Sequence, residues 1–189
     1  MPLLPSLPEP AHLGDLLRAH PDGVPEMMAF TDAVLRGPGE LPVPTRELIA
    51  AFTSALNACD FCARSHEIYA RAYGVPEGTL DALVADVGSA PVEDRLKPLL
   101  AYCAKLVTLP ARLVRADVDA VLSAGWSERA LYEAIRITAA FAMYNRLVEG
   151  TGVDFDYGAA PEAHPAHAGL PADHGRSYAA FGERIAAER

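Results

Sequence analysis

The 189-residue sequence has few of the residues that several protein classes require. Lys and Arg total only 16 against 25 Asp and Glu, which gives a formal net charge of -9. Nucleic-acid binding needs clustered cations that contact phosphates, so this balance argues against a nucleic-acid partner. No apolar run reaches the roughly 18 residues that a bilayer span requires, so we expect no membrane segment.

Cysteine is scarce as well, and the start of the chain lacks a targeting pattern. Three cysteines in a chain of this length do not resemble the disulfide framework of a secreted domain. The opening "MPLLPSLPEPAHLGDLL" has no basic residue ahead of its apolar ones, and its prolines would interrupt a signal helix. We therefore expect a cytoplasmic protein whose cysteines remain reduced unless they take part in redox chemistry.

Aromatic residues make up only 7% of the chain, while Ala and Leu are abundant. No segment alternates apolar and polar residues as a strand would, and several segments repeat apolar residues at helical spacing between Gly, Pro and Asn stops. The sequence predicts an all-α domain over residues 1–157 that includes an N-terminal arm. A Pro/Ala/His-rich tail, residues 158–189, follows it and could close with a helix.

Four positions are predicted to begin, end or bend helices. Thr45 can cap one helix, and Asn57, which tolerates left-handed dihedrals, is expected to end it. Pro98 lies inside a later helix and is expected to kink it. Ser127 is predicted to cap a long central helix. The predicted core face of that helix comprises Leu131, Ile135, Thr138, Ala139, Ala142 and Met143.

One segment, "NACDFCARSHEIYARAYG" at 57–74, concentrates reactive side chains. Cys59, Cys62 and His66 are spaced by three, four and seven residues, so they share one face of a helix. The break at Asn57 would place Cys59 at the helix start, where a disulfide to Cys62 is feasible and a thiolate is favoured. His66 could take a proton from Cys62. The thiolate could then attack a hydroperoxide, and its neighbour could condense with the sulfenic acid.

From the residues alone, other uses of this segment stay open. Cys, Cys and His would supply three zinc ligands, but no fourth ligand and no second CxxC are evident, so we expect no metal site. Cysteines on a helix face are also often buried as small hydrophobic residues. A thioredoxin-type site would need strands that the sequence lacks. Cys103 is expected in the core, and His164, His167 and His174 in a solvated loop.

The wider sequence resembles a known family. Glu47 lies twelve residues before Cys59, and the series Glu47, Cys59, Cys62 and His66 is similar to the "E…CxxCxxxH" signature of the alkylhydroperoxidase D-like (AhpD-like) branch of the carboxymuconolactone decarboxylase superfamily. The stretch "RELIAAFTSALNACDFCARSHEIYARAYGV" is typical of that core. The later "AGWSERALYEAIRITAAFAMYNRLVEGTGVDFD" resembles the closing part of the peroxidase-related subgroup. The resemblance covers about residues 25–157.

The resemblance implies a fold, an activity and a set of site residues. It implies a homo-oligomeric all-helical bundle (dimer, trimer or hexamer) without a metal or an organic cofactor. Cys62 would be the attacking thiolate and Cys59 the resolving thiol, while Glu47 and His66 would form a proton relay. The activity implied is thiol-dependent reduction of a small or alkyl hydroperoxide, with a thiol or a protein disulfide reductant restoring the pair. The alternative is a non-catalytic or sensor-type helical oligomer whose CxxC oxidises without useful turnover.

Two residues between the cysteines depart from the family pattern. The best-known members carry a second histidine there, whereas this chain has Asp60 and Phe61. Asp60 would place negative charge beside the thiolate, which should raise the thiol pKa and slow its reaction. Asn145 is expected to bridge to the loop after its helix. Tyr69 and Tyr73 could wall a pocket or lie at a subunit interface, and we favour the interface. Decarboxylase members lack the CxxC pair, so lactone decarboxylation is not expected.

Overall fold

The computed structural model describes residues 1–154 and 177–188. The described residues form nine α-helices and no strand, which confirms the all-α prediction. In chain order the helices are α1 (Leu13–Ala19), α2 (Val24–Leu35), α3 (Val43–Leu56), α4 (Asp60–Ala72), α5 (Thr79–Ala85), α6 (Leu96–Val107), α7 (Arg115–Ser123), α8 (Glu128–Thr151) and α9 (Tyr178–Ala187).

The junction between α3 and α4 is a tight reversal of the chain. The prediction that Asn57 ends the helix is confirmed, because Asn57 is the C-cap residue of α3, although its φ of -86° is not left-handed. The next residue, Ala58, has φ of 57° and is the one non-glycine residue with positive φ in the part of the chain that the structure describes. Placing the reversal on Ala58 lets α4 fold directly back against α3, its most extensive partner.

Two predicted helix boundaries also differ from the structure. Pro42, not Thr45, occupies the N-cap of α3, and Pro44 lies in its first turn, where a missing N–H costs nothing. Helix α6 begins at Leu96, so Pro98 also falls in a first turn and does not interrupt a helix interior. Ser127 does cap α8, accepting a hydrogen bond of 3.1 Å from the Ala130 N–H.

Helix α8 crosses the centre of the molecule, but its buried face is rotated from the predicted one. Leu131 and Thr138 are buried as expected, whereas Ala139 and Met143 are exposed. The buried positions are Ala130, Leu131, Ala134, Ile137, Thr138, Ala140, Phe141, Tyr144, Asn145 and Val148. Because the interior of α8 is apolar nearly all round, periodicity alone fixes this face poorly.

The buried apolar residues form two clusters. The larger cluster centres on α3, α6 and α8 and includes Phe52, Leu99 and Phe141. The smaller one joins the N-terminal segment, α1, α2, α4 and α9. Cys59 and Cys62 belong to this smaller cluster. The reactive segment therefore lies where both ends of the described chain fold over α4.

Helix α9 packs on α2. Asp32 of α2 fixes its start by accepting hydrogen bonds from Ser177 Oγ, at 2.9 Å, and from the Tyr178 N–H, at 3.2 Å. The predicted division between residues 157 and 158 lies outside the described residues, as do His164, His167 and His174. Among the helices that the structure describes, none has the length and apolar character needed to cross a membrane.

Replacing Ser127 tests the cap of α8. Ser127→Ala removes the acceptor for the Ala130 N–H, so we expect a loss of about 1 kcal/mol in the free energy of unfolding. Urea denaturation followed by circular dichroism measures this loss. The control is Ser123→Ala, at the exposed last residue of α7. Equal effects of the two substitutions would contradict the cap assignment.

Candidate active site

The two cysteines lie together at the start of α4. Cys59 is the N-cap residue, and its own N–H donates to the Ser54 carbonyl at 2.9 Å. Cys62 follows in the first turn, with its thiol hydrogen-bonded to Cys59. Both are free thiols. Cys59 is fully buried and Cys62 is 4% exposed, so the pair is covered rather than open to solvent.

The hydrogen bond between the sulfurs shifts the pKa values of the two thiols in opposite directions. The hydrogen bond from Cys62 is the main cause that lowers the pKa of Cys59. Although the Cys59 side chain makes no capping hydrogen bond, the backbone N–H of Cys62 lowers that pKa further. The same contact, aided by burial, raises the pKa of Cys62. Negative charge is therefore favoured on Cys59 over Cys62.

The opposite pKa shifts bear on the attacking and resolving roles that the family resemblance implies for the two cysteines. Cys62 is the implied attacking residue, yet the reduced pair favours the thiolate on Cys59. The two states differ by the position of one proton along the hydrogen bond between the sulfurs. Asp60, expected to disturb the thiolate, is exposed at the first position of α4. Glu149 of α8 hydrogen-bonds to Cys59 and raises its pKa, which is a contact the sequence did not suggest.

Asn145 joins the cysteine pair from α8. Its side chain is buried, donates to Ser54 Oγ at 3.0 Å and accepts from Asn57 Nδ2 at 2.9 Å. A further hydrogen bond to Cys62 lowers the pKa of that thiol against the opposing effects of Cys59 and burial. The expectation that Asn145 bridges to the loop after α8 is wrong. The available signal was its position as a polar residue directly after the apolar stretch of α8.

Glu47 and His66 form a buried acid–base pair between α3 and α4. Glu47 is completely buried, and its Oε2 lies 2.7 Å from Nδ1 of His66. The His66 ring meets Phe141 edge-on at 4.4 Å and stacks on Tyr69 at 5.8 Å. An ionised carboxylate at this distance favours a proton on Nδ1 and leaves Nε2 as the acceptor. His66 follows Cys62 by one helical turn.

Arg36, which the sequence did not single out, completes the charge balance. It follows α2 as the C-cap residue, and its Nη1 lies 2.5 Å from Oε1 of Glu47 in an ion pair. Burial by itself would raise the pKa of Glu47, but His66 and Arg36 together outweigh burial and lower it. Glu47 is therefore ionised. No local sequence signal connects Arg36 with a carboxylate on the next helix.

The arrangement favours thiol chemistry over metal binding. Within residues 1–154 and 177–188, no group of three His, Cys, Asp or Glu side chains is placed to hold a metal ion. Cys59, Cys62 and His66 therefore do not form such a set there. What the site does hold is a thiol pair, an imidazole with an ionised carboxylate behind it, and an amide donor. These groups can move protons and exchange a disulfide for a dithiol.

Comparisons with known proteins agree with this description. The model of the carboxymuconolactone decarboxylase family matches residues 21–96. A Ralstonia eutropha JMP134 structure, described as an alkylhydroperoxidase AhpD core and an uncharacterized peroxidase-related protein, superposes with a TM-score of 0.69. It is 25% identical over 75% of each chain. Residues 21–96 are thus similar to the carboxymuconolactone decarboxylase family, and the overall fold is similar to that of AhpD-like structures.

Two further solved structures show the same AhpD-like fold. An uncharacterized peroxidase-related protein from Silicibacter sp. TM1040 is 24% identical, with 74% of this chain and 73% of that chain covered and a TM-score of 0.68. A protein of unknown function from Agrobacterium tumefaciens, described as a candidate AhpD antioxidant defence protein, is 19% identical. It covers 75% of this chain and 96% of its own, with a TM-score of 0.64. No curated protein sequence matches the chain significantly.

The family match divides the candidate site into two parts. Glu47, Cys59, Cys62 and His66 all fall within residues 21–96, the segment that the family model matches, as does Arg36. Asn145, on α8, lies outside that segment, as do α1 and α9. Part of the cover over the thiols, and the amide that contacts Cys62, therefore come from outside the family match.

Site-resolved alkylation of the cysteines tests the role of Asn145. Asn145→Leu removes a hydrogen bond that lowers the pKa of Cys62, so the pH of half-maximal Cys62 alkylation should rise, by on the order of one pH unit. Mass spectrometry of peptides after iodoacetamide treatment at several pH values measures this shift.

The matched control for this substitution is Thr138→Val on the same helix. Thr138 is also buried, but it hydrogen-bonds to Cys103 rather than to the CxxC pair. Thr138→Val should leave the alkylation profile of Cys62 unchanged. A parental profile in Asn145→Leu, or an equal shift in both variants, would show that Asn145 does not act on the thiol.

Proposed function

We propose that the protein is a thiol-dependent hydroperoxide reductase that cycles Cys59 and Cys62 between dithiol and disulfide. The observation that supports this most is the hydrogen-bonded contact of the two sulfurs at the N-terminus of α4, with the hydrogen-bonded Glu47–His66 pair one turn further on. AhpD-like and peroxidase-related names among its structural relatives favour an antioxidant role. A reducing compartment such as the cytoplasm would supply the reductant.

The cycle begins with a proton shift inside the pair. Transfer of the Cys62 proton to Cys59 or, through His66, to solvent leaves a thiolate on Cys62. The Cys62 thiolate attacks the terminal oxygen of the hydroperoxide, so that an S–O bond forms while the O–O bond breaks. The alkoxide leaves with a proton as an alcohol, and Cys62 becomes a sulfenic acid. His66, backed by Glu47, is placed to supply or remove these protons.

The second half of the cycle uses Cys59. Its sulfur attacks the sulfenic sulfur of Cys62, so an S–S bond forms, the S–O bond breaks and water leaves. Two electrons have then passed from the dithiol to the hydroperoxide. A small dithiol or a protein disulfide reductant returns them by thiol–disulfide exchange and releases the reduced pair. The short spacing at the helix start suits this closure, because Cys59 lies outside the regular helix as its N-cap.

The cover over the thiols favours a small substrate. Leu7 and Ala11 of the N-terminal arm, Leu16 and Leu17 of α1 and Ile185 of α9 belong to the same buried cluster as the two cysteines. Only Cys62 retains measurable exposure, at 4%. A hydroperoxide must therefore enter through a narrow, apolar approach. We propose a small organic hydroperoxide.

The same burial supports the alternative function, a sensor-type protein whose CxxC oxidises without useful turnover. Slow access to two covered thiols suits a stoichiometric switch better than a fast enzyme. One assay distinguishes the two proposed functions. It measures steady-state consumption of hydroperoxide with dihydrolipoamide or another dithiol as the recycling reductant. Repeated turnover faster than that of free dithiol supports the reductase, and a single oxidation that then stops supports the sensor.

We also propose that the protein assembles with copies of itself through α8 and α2. An exposed apolar face of α8 carries Tyr132, Ala139, Met143 and Leu147, at spacings that return to one side of the helix. Phe30 of α2 is 42% exposed beside it and lies under Arg136 of α8. A contiguous apolar face of this kind is typical of a subunit interface. Tyr69 and Tyr73, in contrast, contact Arg36 within the same chain.

Single cysteine variants test the redox cycle. With one equivalent of organic hydroperoxide, Cys62→Ser should consume none beyond background, because the attacking sulfur is missing. Cys59→Ser should consume one equivalent and accumulate a Cys62 sulfenic acid, which dimedone traps and mass spectrometry locates. Cys103→Ser is the control and should behave as the parent protein. If both CxxC variants consumed peroxide as the parent does, the cycle would be wrong.

Replacing Met143 tests the proposed assembly. Met143→Glu puts a charge on the exposed face of α8, so the molar mass should fall from that of an oligomer toward one chain. Size-exclusion chromatography with light scattering measures the mass. The control is Val84→Glu, which changes an exposed apolar residue on α5 and should preserve the oligomer. A monomeric parent protein would contradict the proposed interface directly.

A further inference from the structure

The Arg36 side chain occupies a cage between the relay and the C-terminal helix. Its exposed fraction is only 13%, and its charge faces Oε1 of Glu47. Three tyrosine rings surround the guanidinium, with centroids at 5.9 Å for Tyr69, 5.6 Å for Tyr73 and 5.5 Å for Tyr178. Burial would lower the pKa of Arg36, but the facing carboxylate outweighs burial and raises it. Arg36 is thus a permanent cation beside a buried anion.

Tyr178 reaches this cage from α9. The residue is the first of the helix, and the ties of Ser177 and the Tyr178 N–H to Asp32 fix the start of α9 on α2. Among residues 1–154 and 177–188, the buried Tyr178 hydroxyl has no hydrogen-bond partner. Its ring therefore contributes apolar packing and a π face to Arg36 rather than a hydrogen bond. Although α9 is far from α4 in sequence, it closes the cation site next to the relay.

We infer that Arg36 is a positioning residue for the Glu47–His66 pair and that α9 holds Arg36 in place through Tyr178. The inference rests on the proposed function, since it assigns a role to the relay. By occupying Oε1, Arg36 leaves Oε2 to face Nδ1 of His66. The orientation of the carboxylate, and with it the tautomer of His66, is set from outside the CxxC segment.

The physical basis is the cost of keeping a carboxylate charged in the protein interior. Glu47 is fully buried, so burial alone would favour its protonated form. A protonated Glu47 would donate its proton to Nδ1 instead of accepting from it. His66 would then carry its proton on Nε2 and lose the acceptor that a thiol proton needs. Together with His66, the ion pair of Arg36 with Oε1 opposes this reversal by lowering the pKa of Glu47.

The charged and titratable groups around this site come from four parts of the fold. Glu47 on α3 faces His66 of α4, Arg36 after α2 and Tyr178 of α9. The remaining groups that face Arg36 and Tyr178 are Tyr69, Tyr73, Tyr144 and Arg46, a second buried cation. Burial raises the pKa of Tyr144 to about 12 and that of Tyr178 well above its usual range, so both stay neutral near pH 7. Arg36 is the permanent cation that forms an ion pair with Glu47, whereas Arg46 faces Glu133.

Arg36→Gln tests the inference in two ways. Without the cation the pKa of Glu47 rises, so the ionised carboxylate is lost at a higher pH as the solution is acidified. The acid limb of the pH profile for Cys62 oxidation by hydroperoxide should move to higher pH, with a rate loss of about 10-fold near neutral pH. The ¹⁵N spectrum of His66 should show more of the Nε2–H tautomer. The inference would be overturned if Arg36→Gln kept both the acid limb of the pH profile and the His66 tautomer of the parent protein.

Two further variants separate positioning from general stability. Arg36→Lys keeps the positive charge and should recover the parental acid limb in large part. Arg95→Gln is the matched control, because Arg95 also packs on an aromatic ring, that of Trp126 at 3.8 Å, but outside the site. Arg95→Gln should leave both readouts parental. An Arg36→Lys variant that resembled Arg36→Gln, or a control that shifted equally, would show that the charge does not act on Glu47.

Tyr178→Leu tests the part played by α9. Leucine retains apolar volume but removes the π face, so both readouts should move in the same direction as in Arg36→Gln, by a smaller amount. A parental result in Tyr178→Leu beside a shifted Arg36→Gln would overturn the role of α9 and leave that of Arg36. The His66 spectrum needs no turnover, so it tests the positioning role even if the parent protein reduces no hydroperoxide.

Discussion

The tight reversal at Ala58 is the constraint on which the rest of the site depends. Because the chain turns back within residues 57–59, α4 packs along α3 instead of continuing it. The reversal places Cys59 at the N-cap of α4, outside the regular helix and next to Cys62. It also brings His66 beside Glu47, which lies nineteen residues earlier. One turn of backbone thus creates both the sulfur contact and the relay.

Each buried charge behind that turn has a partner that stabilises it. Taking an isolated carboxylate out of water costs several kcal/mol, so Glu47 requires cationic or hydrogen-bonding partners. His66 and Arg36 occupy its two oxygens. Arg36 in turn is enclosed by three tyrosine rings, one of them from α9. The reactive end of the site is balanced differently, by the hydrogen bond between the two sulfurs and by the amide of Asn145.

Features of the fold and of the candidate site that have a local cause could be predicted from the sequence. Helical period alone relates Cys59, Cys62 and His66, and the cap at Ser127 follows from the hydroxyl that precedes a helical pattern. The helix end at Asn57 was also predicted, but the positive φ lies on Ala58, although Asn is the more common left-handed residue. The buried face of α8 was misjudged at Met143, since its apolar residues surround the helix.

The contacts that the sequence did not reveal are those between distant helices. Glu47 was connected with His66 only through the family resemblance. Arg36, Asn145 and Tyr178 reach the site from α2, α8 and α9, and nothing in their immediate neighbours indicates a shared destination. Such contacts depend on how the amphipathic helices pack. The rotation of each helix about its own axis is set by packing throughout the core and not by its local sequence. Local pattern therefore identified the reactive groups, while the assembled fold supplied the residues that tune them.

The most direct measurement is disulfide mapping after oxidation. The full-length protein is treated with one equivalent of an organic hydroperoxide, alkylated and digested, and its peptides are analysed by mass spectrometry. The account predicts loss of two hydrogen atoms from the chain, a bond that joins Cys59 to Cys62, and an alkylated Cys103. Stable oxygen adducts on Cys62 with Cys59 still alkylated, or an unreacted CxxC pair, would contradict it.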